Sequence, residues 1–242
     1  MTPPETLRLV APSAGSWSVR VVPNLYPAFE HHEVVVHTPR HARSLAELSD
    51  GELSLVAEAW RSRSQTAGRE GFPYVHALLN EGAAAGASLP HTHSQLVWLD
   101  SPPPAVTAEE RRSCPVCELL ARELGDGRHT LESRGPLAVI AHPAGRAPYE
   151  LLLAPVTHDE QGLASELLGE ALSSLASWLR RLHAIEGAIP VNAWIHTNGH
   201  WHIELLPRLT VFGGIELGAG IYVNTLAPEE AARRLRAAPL GA

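Results

Sequence analysis

The chain contains no lysine: all 19 of its basic residues are arginine. Any cationic contact to a phosphate must therefore come from arginine or from backbone amides. Cysteine is scarce, with only Cys114 and Cys117, and nothing in the sequence indicates secretion. That argues against a disulfide framework and leaves Cys114-Pro-Val-Cys117 as a zinc knuckle or a redox pair. No apolar run approaches the ~18 residues that span a bilayer. The opening Met1-Thr-Pro-Pro-Glu-Thr6 lacks the basic and apolar regions of a signal peptide. A cytoplasmic location without membrane contact is the expectation. The net charge is −7 with no basic stripe, which argues against a nucleic-acid polymer as partner.

Histidine, by contrast, is abundant, at 14 residues, and several copies fall in a repeated pattern. The first copy runs Glu33-Val-Val-Val-His-Thr-Pro-Arg-His41 and is followed by His91-Thr-His93-Ser-Gln95. The second runs Glu150-Leu-Leu-Leu-Ala-Pro-Val-Thr-His158 and is followed by His200-Trp-His202-Ile-Glu204. The chain therefore reads as two related halves, divided at Ser101-Pro-Pro-Pro104 into 1–104 and 105–242. Each half shows strands, a helix, then strands. β-Branched residues mark strands over 17–22 and 34–36, and apolar runs mark others over 74–79, 137–140, 150–153 and 191–195. Leu53, Val56, Ala57 and Trp60 recur at helical spacing behind an N-cap at Ser49 or Asp50. Leu168, Leu172, Leu175, Leu179 and Leu182 mark a long second helix. Thr107-Ala-Glu-Glu110 reads as a capping box opening a short helix, and a last helix is expected from Pro228. The fold class is α+β, with mainly antiparallel sheets and flanking helices.

On a strand, alternate residues share a face. His91, His93 and Gln95 are expected to point one way, as are His200, His202 and Glu204, with Trp201 and Ile203 turned into the core. Three aligned polar side chains are costly to bury without partners, so they should face a ligand, a metal or a cleft. Directly upstream lies the small-residue loop Asn80-Glu-Gly-Ala-Ala-Ala-Gly-Ala-Ser88. Gly82 and Gly86 let backbone amides approach an anion, and Asn80 and Ser88 add hydrogen bonds. A neutral imidazole can attack phosphorus and split one displacement into two. Gln95 could donate its amide to a non-bridging oxygen. For the cysteines, His158 and His200 complete a tetrahedral zinc set. A rival set is Glu109 or Glu110 with His196, His200 and His202.

The run from Asn80 to Gln95 closely resembles the active-site segment of galactose-1-phosphate uridylyltransferases, members of the histidine-triad superfamily. The likeness extends from about Val21 to Arg236. It implies two HIT-like repeats, each a half-barrel of antiparallel strands with flanking helices. It implies ping-pong transfer of a nucleoside monophosphate, UMP first of all, between a nucleotide sugar and a hexose 1-phosphate, through a nucleotidyl-His93. A nucleotide-sugar phosphorylase of the ADP-glucose type, or a hydrolase, shares the first step. A decayed nucleotide-binding protein is the reading from another class. The resemblance also implies that Gln95 binds the transferred group and that Asn80, Gly86 and Ser88 line the phosphate pocket. Asn24 and Tyr26 would hold the nucleoside, Glu216 would contact the hexose, and the protein would be a homodimer to which Glu216 and Tyr222 contribute across the interface. It supports one structural zinc per chain on Cys114, Cys117, His158 and His200. Thr92 and Glu81 depart from the family's proline and lysine. A first Cys-x-x-Cys has no counterpart here, so His41 and His91 are expected to hold no metal.

Overall fold

Ser49 starts helix α1 (Asp50–Arg69) with a reciprocal cap: its hydroxyl accepts from Glu52 N–H while the Glu52 carboxylate accepts from Ser49 N–H. The buried stripe of α1 is Leu53, Val56, Ala57, Ala59, Trp60 and Ala67. The second long helix, α4 (Leu168–Glu186), buries Leu168, Leu172, Leu175, Leu179 and Leu182. The two stripes pack on each other and on one face of the sheet. Each fully buried leucine of this kind contributes about 1.5–3 kcal/mol.

The computed structural model describes residues 4–12, 15–109, 113–133 and 135–239. Ten strands form one sheet: β1 (Leu7–Leu9), β2 (Val19–Pro23), β3 (His32–Val36), β4 (Tyr74–Glu81), β5 (His93–Leu99), β6 (Thr130–Glu132), β7 (Leu137–Ala141), β8 (Leu151–Pro155), β9 (Val191–His196) and β10 (His202–Pro207). Their order is β1-β2-β3-β5-β4-β9-β10-β8-β7-β6, and every pairing is antiparallel. Shorter helices complete the chain: α2 (Pro104–Thr107), α3 (Pro115–Asp126), α5 (Gly214–Ala219) and α6 (Pro228–Ala237). The architecture is α+β, as the repeated pattern indicates, and among the described residues no helix is long and apolar enough to cross a membrane.

The halves meet at β4 and β9, where Leu78 pairs with Trp194 and Asn80 with Asn192. Gln95 also lies opposite Leu78, and Glu204 opposite Trp194. The two HxH strands are thus related by a local two-fold between Leu78 and Trp194. Val75, Ala77, Leu79, Ala193, Ile195, Ile203 and Leu205 enter the helix-covered core, and Trp201 is fully buried with them. Alternation then places His76, Leu78, Asn80, His93, Gln95, Asn192, Trp194, His196, His202 and Glu204 on the opposite, open face.

Several local expectations are corrected. Both HxH strands begin at the second histidine, so His91 and His200 sit in the preceding turns and aim elsewhere. Thr107 closes α2 instead of opening a helix; the helix starts at Pro104 behind Pro103, because proline suits a first turn that needs no N–H. Glu110 lies outside the described residues. Strands β1 and β6 and helices α3 and α5 were not anticipated, being short or masked by mixed composition.

Candidate active site

His93 opens β5 and is 6% exposed. Its Nδ1 lies 2.7 Å from the carbonyl oxygen of His91. A carbonyl only accepts, so Nδ1 carries the proton and Nε2 keeps a lone pair. His91 itself turns away: its Nε2 donates to Thr38 O at 2.9 Å, and its ring stands 6.1 Å from that of His41. The expected trio on one face is therefore His93 and Gln95, with His91 serving as backbone orienter.

Two further contacts hold this strand. Gln95 Oε1 lies 2.6 Å from His32 Nε2. On the helix-covered face, His37 reaches Thr92 Oγ1 and Ser94 Oγ, each at 3.0 Å, and Trp60 Nε1 donates to Ser94 Oγ at 2.8 Å. Burial holds the His37 pKa down at about 3, so it is neutral.

Asn80 is the penultimate residue of β4 and lies on the same face as His93. Its Oδ1 accepts from Asn192 Nδ2 at 2.7 Å, and that amide also donates to Ala85 O at 2.8 Å. With its oxygen occupied, Asn80 has its Nδ2 turned toward Gly86, where an added Cβ would stand 3.9 Å from it. The loop is a 3₁₀ turn over Ala83–Ala85 flanked by Gly82 at φ 81° and Gly86 at φ 86°, values that L side chains rarely adopt. Gly86 and Ser88 are exposed at its rim. Glu81, just before the loop, accepts from Ser44 Oγ and Leu45 N–H, and burial raises its pKa to about 7.

Asn24 and Tyr26 lie at the mouth of the β2–β3 hairpin, where Asn24 Oδ1 accepts from Tyr26 N–H at 3.0 Å and Asn24 Nδ2 rests against His32. Tyr26 is 84% exposed, and Leu25 and Phe29 are exposed beside it. A cleft of about 740 Å³ runs along the open face over His76, Leu78, Val97, Leu99 and Trp194, with Phe29 and Pro102–Pro104 on its walls. Glu216 sits in α5, where its Oε2 accepts from Gly213 N–H at 2.8 Å. Among the described residues no contact joins it to His93, Gln95 or Asn80. Around it Val211, Leu217, Ile221 and Tyr222 are exposed.

In the second half, Cys114, Cys117, His158 and His200 place ligand atoms within 4.8 Å of one another. Cys117 Sγ stands 3.2 Å from both His158 Nδ1 and His200 Nδ1. His158 Nε2 donates to Glu160 at 3.0 Å and His200 Nε2 to Pro155 O at 2.9 Å. Those bonds put the protons on Nε2 and leave both Nδ1 lone pairs facing the sulfurs, as metal ligation requires. Cys114 caps the start of α3. Without a cation the Cys117 thiol is pushed up to about 11, by burial and by the adjacent Cys114. A divalent ion would remove that penalty, so the donor set fits zinc.

The rival set exists in altered form. Glu109, His196, His202 and Glu204 come within 4.8 Å, with Glu204 where His200 was expected. His196 Nδ1 lies 2.8 Å from Glu109 Oε1. Glu204 is already paired with Arg146, which also pairs with Glu150, and its pKa is lowered to about 2 despite burial, held there by His202 and Arg146. Sequence reasoning missed His32, His37, Arg146 and Asn192. Only the first carried a usable signal, alternating with Val34 on a strand that pairs with the HxH strand.

Residues 27–103 match the family profile "Galactose-1-phosphate uridyl transferase, N-terminal domain". ADP-glucose phosphorylase of Arabidopsis thaliana is 26% identical, over 91% of this chain and 74% of its own. Galactose-1-phosphate uridylyltransferase of Thermotoga maritima is 29% identical, over 84% of this chain and 73% of its own. The crystal structure of the Arabidopsis thaliana ADP-glucose phosphorylase with bound ADP-glucose superposes with a TM-score of 0.84 at 26% identity, over 99% of this chain and 88% of that one. By motif, topology and extent of match, the chain is similar to the galactose-1-phosphate uridylyltransferases and to ADP-glucose phosphorylase, and its residues 27–103 match the uridyl transferase N-terminal domain.

Proposed function

We propose that the protein is a nucleotidyltransferase that moves a nucleoside monophosphate, UMP as first choice, from a nucleotide sugar to a hexose 1-phosphate. The first half, 1–104, carries the chemistry, and 105–242 carries a structural zinc. The observation that carries this reading is the tautomer of His93: Nδ1–H is fixed on the His91 carbonyl, and Nε2 is left as the nucleophile on the open face. In the first step Nε2 bonds to the α-phosphorus. The bond from that phosphorus to the bridging oxygen breaks, and the sugar 1-phosphate leaves with the electron pair. The positive charge gained by the imidazole is stabilised through the Nδ1–H bond to the His91 carbonyl. In the second step a phosphate oxygen of the acceptor attacks, and the nitrogen–phosphorus bond breaks. Gln95, Asn80 Nδ2 and the amides of the Gly82–Gly86 loop supply fixed donors to the charge that develops.

Asn24 and Tyr26 bracket the nucleoside, with Ser88 at the pocket rim. Glu216 and Tyr222, remote from His93 within one chain, serve the site of a second copy in a homodimer. The second reading is a phosphorylase with inorganic phosphate as acceptor, favoured by the match to ADP-glucose phosphorylase over nearly the whole chain. Zinc on Cys114, Cys117, His158 and His200 would tie α3 to the β8 and β10 ends.

The test is to incubate the protein with UDP-glucose or ADP-glucose carrying a labelled α-phosphate. An acid-labile, base-stable adduct absent from His93→Ala is expected, and discharge by galactose 1-phosphate or by phosphate assigns the acceptor. An adduct that persists in His93→Ala, or none on the native protein, overturns the reading.

A further inference from the structure

We propose that His32 is a positioning residue for the nucleotidyl transfer, acting solely by fixing which end of the Gln95 amide faces the phosphoryl group. This rests on the reading of His93 as nucleophile. The argument starts from a backbone donor. Ala28 N–H points at His32 Nδ1, at 3.2 Å, and a backbone amide can only donate. Nδ1 must therefore carry the lone pair, and the ring proton sits on Nε2. That Nε2–H is directed at Gln95, 2.6 Å away, and needs an acceptor. Only the oxygen of the Gln95 amide can serve. The Nε2 amide of Gln95 is thereby forced to the other side, where it has no partner among the described residues.

Gln95 and His93 are two residues apart on β5, so their side chains leave the same face. The unpaired Gln95 donor is then presented beside the nucleophilic nitrogen, where a phosphoryl oxygen would lie. Without His32, the amide is free to rotate by half a turn and offer an oxygen lone pair to an anionic phosphate. A primary amide has no intrinsic preference between these two states.

His32 is itself held from the nucleoside side. Its backbone carbonyl accepts from Asn24 N–H at 2.8 Å, and Asn24 Nδ2 stands 3.4 Å from its Nδ1, the nitrogen with the lone pair, and 3.2 Å from its Nε2. The Asn24–Ala28 turn thus connects to the phosphoryl donor through one imidazole. The pseudo-symmetric position supports the idea: Glu204, the counterpart of Gln95, is anchored by Arg146 instead and has no donor to offer.

The experiment is a double-mutant cycle on the first half-reaction. The rate of nucleotidylation by UDP-glucose and by ADP-glucose is measured in single turnover for the native protein, His32→Phe, Gln95→Ala and the double variant. Phenylalanine keeps the ring volume and removes the donor; His32→Ala substitutes if His32→Phe does not fold. His32→Phe should slow adduct formation by about 10- to 100-fold, the scale of a misplaced catalytic contact. The substrate concentration at half-saturation should change less than about threefold, since the effect belongs to the transition state. In the Gln95→Ala background the same substitution should change the rate by less than about twofold. An equal loss in both backgrounds, or no loss in the native background, overturns the proposal. If the native protein forms no adduct with either nucleotide sugar, it is the reading of His93 that fails, and that is seen before any variant is compared.

Discussion

His37 Nε2 meets Ser94 Oγ at 3.0 Å behind the strand that presents His93. The other nitrogen of the same ring reaches Thr92 Oγ1. One fully buried imidazole therefore grips the residues on both sides of the nucleophile, from the face that the helices cover. Thr92 stands where the family resemblance leads one to expect proline, and a proline ring has no hydroxyl to take this bond.

Replacing His37 should cost stability and make it less sensitive to acid. In the native protein His37 titrates at about 3, because burial disfavours the imidazolium; in the unfolded chain it titrates near the ordinary ~6.5. Between those values the unfolded state binds the extra proton. Its contribution is thus present above the unfolded pKa and is lost as pH falls, at about 1.4 kcal/mol per pH unit. Urea unfolding of His37→Gln at pH 7 should show a loss of about 1–3 kcal/mol from unpaired hydroxyls. The gap should narrow as pH is lowered from 6.5 to 4.5. A gap independent of pH would contradict the buried neutral imidazole.

The features legible in the sequence were those written as periodicity or repetition. The leucines of α4 and the alternating β strands predicted the layers, and the paired HxH motifs pointed to two related halves without showing how they are joined. What escaped is set by register. Whether Asn192 meets Asn80 depends on how β9 slides against β4, and no local pattern encodes that offset. The shared face expected for His91 and His93 failed for a similar reason. The strand starts at His93, and one turn residue earlier the chain direction already differs. Glu204 entered the second carboxylate–histidine group because strand alternation puts it beside His202, while His200, in a turn, was released to the cysteines.

Gly82 and Gly86 should respond differently to alanine. Both hold positive φ, but a Cβ at Gly82 would stand 3.0 Å from Pro190 Cβ, whereas one at Gly86 meets only Asn80 Nδ2, at 3.9 Å. Gly82→Ala should therefore cost about 2–4 kcal/mol, from backbone strain plus the clash. Gly86→Ala should cost about 1–2 kcal/mol from the left-handed conformation alone. Its larger effect should be on nucleotide-sugar turnover, since the methyl group enters the space beside Asn80. Denaturant midpoints and kcat/KM for the two variants check the order; equal midpoints would contradict the Pro190 contact.

Glu81 gives a pH dependence of the opposite sign to His37. Burial raises its carboxyl to about 7 in the folded protein, against 4.5 for a free side chain. A raised carboxyl pKa means the folded state holds the proton more tightly. Its contribution is complete below the unfolded value and is lost as pH rises through about 7. Glu81→Gln removes the titration and leaves an acceptor for Ser44 and Leu45. The variant should therefore gain on the native protein, by up to about 1.4 kcal/mol per unit, between pH 4.5 and pH 7, and the difference should level off above pH 7. Thermal melts across that range decide it; a constant difference would show that the hydrogen bonds from Ser44 and Leu45 outweigh burial.

Metal removal should act on the second half without touching the nucleophile. The Cys117 and His200 ligand atoms are 3.2 Å apart, and the Nε2 proton of His200 is committed to Pro155 O, so the ring is already oriented for an ion. Elemental analysis should find about one zinc per chain, absent from Cys114→Ser/Cys117→Ser. Two equivalents would assign metal to the Glu109, His196, His202 and Glu204 group as well. That group satisfies its charges through Arg146 and the His196–Glu109 bond, which is why one equivalent is expected. Loss of the ion leaves two adjacent thiols, one with its pKa near 11. The stabilisation lost should be several kcal/mol and should appear as a lower melting temperature on chelation. Adduct formation at His93, on a strand held by His37 and His32, should survive chelation at temperatures below that melt. Its disappearance in a protein still folded by circular dichroism would place the ion in the chemistry and not in the scaffold.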